Sequence, residues 1–323
     1  MSTPTVVITA RALARAGLDV LERAGCRVVF VSDGTVGSLL EIVQREPIDA
    51  ILCRGSCPGD VIRAAKGLKV ISRHGVGYDA VDVAAASERG IPVMIAQGAN
   101  AQSVAELVFA LLLSLARSLE GHTRVIRQGR WERKEVGVQL SGKVMGIVGL
   151  GTIGTKVALL AHAFGMTVIA YDIKDKRGAV GGVEIVGSLD ELLGRSGVVS
   201  LHTPLTSLTE HMMGDAQFAL MPPGAIFINT SRGEVVDEAA LHRALASGLR
   251  GAGLDVHQTE KPQADNPVRK HLQVVLTPHI GAQTDVALEQ VAVAAAQHIV
   301  DVLQGRPVQA SACVNLTALP GFR

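Results

Sequence analysis

The chain has 323 residues, enough for two domains with buried cores. Apolar residues make up 48% but aromatics only 3%, a balance that suits parallel sheets packed with Ala, Val, Leu and Ile. Its 31 Lys and Arg offset 30 Asp and Glu, which excludes bulk attraction to nucleic acid or to an anionic membrane.

The first residues, Met1 to Thr9, lack a basic segment followed by a long apolar core, so no secretion signal is expected. Alternation of short apolar runs and helical patterns begins at once. Strands are expected at Val6–Thr9, Arg27–Val31, Ala50–Cys53, Val70–Ser72 and Val93–Ile95. Helices are expected between them at Leu13–Ala24, Leu39–Arg45, Asp60–Lys66 and Val81–Arg89. This order predicts a parallel sheet with helices on both faces. The stretch carries no dinucleotide fingerprint, so it needs a different task.

A second unit starts near Asn100. Ser103-Val104-Ala105-Glu106 has capping-box spacing and predicts a helix running to about Arg117. Its greasy core, Leu107 to Ala116, has about half the length of a membrane span. Val144–Val148 then leads into Gly149-Leu150-Gly151-Thr152-Ile153-Gly154, followed by a helix at Lys156–Phe164 and a strand at Thr167–Tyr171 that ends on Asp172. Strand, tight glycine turn, helix, strand and acid make a dinucleotide site. The turn lets backbone approach a pyrophosphate, the helix N-terminus offers N–H groups, and the acid takes the ribose hydroxyls.

Further strands are expected at Val198–His202, Ala225–Asn229, Ala252–Leu254 and Val274–Leu276, with a final helix at Thr284–Leu303. Arg232, Glu260 and His279 each follow one of these strands, on the edge where open α/β sheets bind ligands. A guanidinium forks onto a carboxylate and polarises the neighbouring carbonyl. An imidazole exchanges a proton with the oxygen, and a carboxylate beside it favours its charged form. The four cysteines, Cys26, Cys53, Cys57 and Cys313, read as small reduced core residues, and no metal site is expected.

Several segments, in order, resemble the D-isomer-specific 2-hydroxyacid dehydrogenases. Asn229-Thr230-Ser231-Arg232-Gly233-Glu234-Val235-Val236-Asp237-Glu238 is similar to that family's arginine signature. Gly253-Leu254-Asp255-Val256 with Glu260 resembles its acid segment, and Thr277-Pro278-His279-Ile280-Gly281-Ala282 its histidine segment. Ser72-Arg73-His74-Gly75-Val76-Gly77-Tyr78-Asp79 and Ser200-Leu201-His202-Thr203-Pro204-Leu205-Thr206 extend the likeness over nearly the whole chain, and Trp131-Glu132-Arg133-Lys134 looks most like phosphoglycerate dehydrogenases.

The resemblance implies two doubly wound parallel-sheet domains. One is a discontinuous flavodoxin-like substrate domain (1–99 and 289–323) and the other a Rossmann NAD-binding domain (100–288), with a cleft between them. It implies an NAD-dependent enzyme of a D-2-hydroxy acid and its 2-oxo acid, with 3-phosphoglycerate as one substrate. The alternatives are a hydroxypyruvate or glyoxylate reductase, or a non-catalytic NAD-sensing protein of corepressor type. Arg232 would bind substrate, His279 would be the acid–base group and Glu260 its partner. Gly149, Gly151, Thr152, Ile153, Gly154, Asp172, His202, Thr203, Pro204, Thr230, Asp255 and Gly281 would form the NAD site. Arg54, Arg73, Val76 and Gly77 would contact substrate, and Arg133 would reach into a partner subunit. The implied assembly is a cytoplasmic homodimer joined through the NAD-binding domain, without a C-terminal regulatory domain. The chain departs from the pattern near the acid and histidine. His257 and Gln258 stand where an aromatic residue is common, Lys261-Pro262 replaces Glu-Pro, and Gln283 replaces serine.

Overall fold

The computed structural model describes residues 3–31, 33–133, 136–259, 265–307 and 309–319. The chain folds as two compact units, Met1–Asn100 with Ala282–Arg323, and Ala101–Gly281.

The first unit holds five parallel strands, β1 (Thr5–Ile8), β2 (Arg27–Phe30), β3 (Ala50–Cys53), β4 (Val70–Arg73) and β5 (Val93–Ile95), in the order β2-β1-β3-β4-β5. This is the flavodoxin-like order, with its reversal beside β1. β1 and β3 are buried along their whole length, which is why they read as unbroken apolar runs. α1 (Arg15–Arg23) and α11 (Asp285–Leu303) cover one face; α2 (Val36–Arg45), α3 (Gly59–Ala64) and α4 (Val83–Glu88) complete the helical layer. α11 is long and apolar enough to cross a membrane by length and composition alone. Here its Ala295, Ala296 and Ile299 pack with Val6, Ile8 and Leu52 of the sheet. α1 meets it so closely that a Cβ on Gly17 would lie 2.8 Å from that of Ala292. The chain re-enters this unit at Ala282, before α11 begins, rather than at residue 289 inside the helix. A helix buries its stripe as one rigid rod, so it belongs wholly to the sheet it covers.

The second unit has seven parallel strands: β6 (Val144–Val148), β7 (Thr167–Tyr171), β8 (Val183–Ile185), β9 (Val198–Leu201), β10 (Ile226–Asn229), β11 (Gly251–Leu254) and β12 (Val274–Leu276). Their order is β12-β11-β10-β9-β6-β7-β8, so the strand order reverses between β6 and β9, as in dinucleotide-binding sheets. α5 (Ala101–Ala116) and α7 (Thr152–Ala163) pack on one face, burying Val108, Leu112, Val157 and Ala161 with Ile147 and Ile228. α8 (Leu189–Arg195), α9 (Asp215–Leu220) and α10 (Glu238–Ser247) supply Leu192, Phe218 and Leu241 to the other core, around Phe227.

Two features differ from the sequence expectation. α5 starts at Ala101, and Ser103 makes no capping box, because its hydroxyl donates to the carbonyl of Gly281 at 2.6 Å instead. α6 (Leu119–Arg127) and the edge strand β8 have no fully buried residue, so neither leaves a strong apolar period in the sequence.

Candidate active site

Each glycine of the turn after β6 has its own physical reason. Gly149 adopts φ +92°, and a Cβ there would also press within 2.8 Å of the His202 carbonyl. Gly154, inside α7, lies over the same turn, and a Cβ on it would fall on the carbonyl of Gly149. Gly151 caps α7 and faces open space, with nothing within 4 Å of where a Cβ would be. A ligand can therefore approach the backbone at Gly151 and the N–H groups of the first helical turn at Thr152 and Ile153, which have no intrahelical acceptor. Asp172 ends β7 and braces the turn, accepting from Leu150 N and from Lys174 N, each at 2.9 Å.

Beside this turn lies the end of β9. His202 donates its backbone N–H to Val148 O at 2.8 Å and shares a hydrogen bond between Nε2 and Ser200 Oγ at 2.9 Å. Burial pushes its imidazole down to about 3 and keeps it neutral. Its Nδ1 has no partner among the described residues. Thr203 is half-buried, and Pro204 is exposed with its carbonyl accepting from Thr209 Oγ1 at 2.7 Å.

The end of β10 is organised by Asn229. Its Oδ1 accepts from Ser231 N and Oγ at 3.0 and 2.8 Å, and its Nδ2 donates to Arg232 O at 2.8 Å. Half-buried Arg232 is thereby held at the strand end, with Nη1 donating to Ser231 O at 2.6 Å. Thr230 is buried, and its hydroxyl has no partner among the described residues. The Thr230 hydroxyl without a partner among the described residues, the open face at Gly151 and the α7 N-terminus along one sheet edge fit a dinucleotide rich in oxygen acceptors.

Asp255, after β11, is only 1% exposed. Its Oδ1 accepts from Thr277 Oγ1 and Ile280 N, both at 2.7 Å, and its Oδ2 from Gly281 N at 2.8 Å. The same residue's carbonyl accepts from His279 N at 2.8 Å. Its carboxylate is thus spent on the loop after β12. That loop presents His279 exposed, in the left-handed region at φ +55°. Glu260 lies outside the described residues. On either side of that stretch, Gln258 N donates to Glu238 Oε1 at 2.9 Å and Asn266 Nδ2 donates to Glu238 Oε2 at 2.5 Å.

Strand order thus lines up the loops with Gly149, His202, Arg232, Asp255 and His279 along one carboxyl edge of this unit. The sequence reading missed Asn229 and Glu238 as organisers; Asn within two residues of Ser231 is a local turn signal that points to the first. No local pattern signals the second, because its partners lie 20 and 28 residues away.

The first unit carries the other named residues. Arg73 donates from Nε to Gly77 O at 2.7 Å, and from Nη1 to Cys53 O and Gly55 O at 3.1 and 3.0 Å. It ties the loops after β3 and β4 together. Arg54 is exposed, and its backbone N donates to Thr9 Oγ1 at 2.8 Å. Val76 and Gly77 are half-buried in the loop after β4. Burial, reinforced by the Arg54 charge, pushes His74 down to about 4.

Residues 109–281 match the family model described as D-isomer specific 2-hydroxyacid dehydrogenase, NAD binding domain. The chain is 38% identical over 317 residues to a D-3-phosphoglycerate dehydrogenase of Archaeoglobus fulgidus, covering 97% of this chain and 60% of that protein. It thus spans less than two thirds of that relative's length. A hydroxypyruvate reductase of Thermotoga maritima is 42% identical over 260 residues, 79% of this chain and 84% of the relative. The D-lactate dehydrogenase of Aquifex aeolicus, solved with NAD and lactic acid, superposes with a TM-score of 0.82 at 27% identity, covering 96% of this chain and 98% of that one.

Proposed function

This chain belongs to the D-isomer-specific 2-hydroxyacid dehydrogenase family and carries its NAD-binding domain, and from that premise we propose that it interconverts a D-2-hydroxy acid and the matching 2-oxo acid. The observation that carries this reading is the row of strand-end loops bearing the glycine turn, Arg232 and His279 along one sheet edge. NAD, when bound, supplies or accepts the hydride.

Gly149, Gly151, Thr152, Ile153 and Gly154 hold the pyrophosphate, Asp172 the adenosine ribose, and His202, Thr203, Pro204 and Thr230 line the remaining path. Asp255 and Gly281 act on that path through the loop they close. Arg232 binds the substrate carboxylate and oxo oxygen, drawing electron density from the carbonyl carbon. His279 gives its proton to that oxygen in reduction and removes it in oxidation, with Glu260 as the carboxylate partner. Within the first unit, Arg54, Arg73 and the backbone of Val76 and Gly77 are assigned the substrate's anionic group, and Arg73 also holds Gly77 in place.

A phosphorylated substrate, 3-phosphoglycerate, is favoured by the exposed cation at Arg54 and by likeness to the A. fulgidus protein. A smaller one, hydroxypyruvate or glyoxylate, is favoured by likeness to the T. maritima reductase. A panel of these acids, followed at the nicotinamide absorbance band, decides between them. Failure of every acid to turn over, with NADH still bound, would leave the sensing-protein reading.

The assembly we assign is a homodimer through the second unit, and its support is exposed apolar surface there. Trp131 is 79%, Val136 85% and Leu272 75% exposed, and Leu119 and Ile126 are exposed as well. Sedimentation at several concentrations tests it, and a monomer at micromolar concentration overturns it. A cytoplasmic setting is supported by four unpaired cysteines, three of them buried.

A further inference from the structure

We infer that His257 is a positioning residue for this reaction, fastening the loop that carries His279 to the turn that carries Arg232; the inference rests on the acid–base role assigned above to His279. Three contacts carry it. Nε2 of His257 donates to the carbonyl of Thr277 at 3.1 Å, two residues before His279. A carbonyl accepts only, so the proton sits on Nε2. Nδ1 lies 4.0 Å from Glu238 Oε1 in the first turn of α10, close packing without a hydrogen bond. On its main-chain side, His257 lies so close to Gly233 that a Cβ on that glycine would fall on the His257 carbonyl. Gly233 directly follows Arg232.

One residue after β11 therefore touches the loop after β10, the loop after β12 and the start of α10. Its surroundings make the contacts count. The His257 side chain is 8% exposed and that of Glu238 11%, so water does not replace a lost bond there. Glu238 is itself held by Gln258 N and Asn266 Nδ2. Asp255 fixes the loop from Thr277 Oγ1 to Gly281 N, and His257 adds the restraint on the Thr277 carbonyl. Without it, the Thr277 carbonyl loses that donor, and the left-handed backbone at His279 rests on the Asp255 contacts alone.

The test compares wild type with His257→Phe, His257→Gln and, as a control, His279→Asn. The readouts are NADH binding by fluorescence, steady-state reduction of hydroxypyruvate, and hydrogen–deuterium exchange of the peptide spanning Thr277 to Gly281. Phe keeps the ring volume and the main-chain approach to Gly233 but has no N–H. We expect it to hold the NADH Kd and the KM for hydroxypyruvate within about threefold, to lower kcat by about 5–20-fold, and to speed exchange at Ile280 and Gly281. Gln sets an amide N–H near the place of Nε2 and should restore most of kcat. Wild-type exchange in His257→Phe, or His257→Gln no better than Phe, overturns the inference. Undiminished turnover in His279→Asn overturns the acid–base reading instead, while the exchange measurement still reports whether His257 holds the loop.

Discussion

Asp255 holds His279 through the backbone rather than through its imidazole. The Asp255 carbonyl takes the His279 N–H at 2.8 Å, and the carboxylate closes over the next two amides, Ile280 N at 2.7 Å and Gly281 N at 2.8 Å. A buried carboxylate accepting from two amides and a hydroxyl sets the shape of a loop that must present one residue at φ +55°.

Asp255→Asn keeps the volume but turns one acceptor into a donor facing an N–H. We expect a loss of about 2–4 kcal/mol in stability from the unpaired groups, measured by urea unfolding. Turnover should fall by about tenfold or more, because the His279 loop loses its anchor. Wild-type stability in this variant would show that the loop is held elsewhere.

His279→Asn tolerates the left-handed backbone while removing the acid–base group. Turnover should drop by about 10²–10⁴-fold with NADH affinity nearly intact. Fluorescence titration and steady-state rates on one preparation separate the two effects.

The glycines of the turn should fail in different ways. Gly154→Ala places a methyl on the Gly149 carbonyl and should cost about 1–3 kcal/mol in stability. Gly151→Ala meets nothing within 4 Å, so thermal unfolding should shift little, while the NADH Kd rises by about tenfold or more as the methyl occupies the approach to the helix N-terminus. Equal thermal shifts in the two variants would contradict the geometry.

Asp172 should exclude the extra phosphate of NADPH by charge, so KM for NADPH should exceed that for NADH. Asp172→Ser should narrow the gap, since Lys174, Lys176 and Arg177 follow closely. A wild-type preference for NADPH would remove this role.

The neutral, half-buried His202 makes stability depend on pH. Its folded value is depressed to about 3 by burial, below the ordinary 6.5, so the unfolded chain binds the extra proton between these values. Its contribution is complete above about pH 6.5 and is lost as pH falls toward the folded value, at up to about 1.4 kcal/mol per pH unit. His202→Gln should flatten the urea midpoint against pH in that window, and an unchanged slope would mean that other groups dominate.

The glycine turn, most of the strands and the edge positions of Arg232 and His279 were legible in the chain because each rests on local pattern. β6 is a fully apolar run, Gly149 needs its positive φ within one residue of β6, and strand-end loops follow wherever strands stop. Strand order was not local. Only pairing across the sheet set β9 beside β6 and so brought the His202 loop against the Gly149 turn.

Roles shifted where side chains found partners far along the chain. Ser103 suggested a capping box, yet its hydroxyl reaches Gly281, 178 residues on. Arg73, proposed as a substrate cation, also ties together the carbonyls of Cys53, Gly55 and Gly77, a bracing role no local pattern announces. The amino-acid order by itself determined two wound sheets and a dinucleotide turn, since periodicity and steric limits on φ act within a few residues. Tertiary structure alone decided that Asp255, Glu238 and His257 shape the loops around the reactive groups, because a buried polar atom must find a partner and the nearest one is chosen by folding, not by sequence distance.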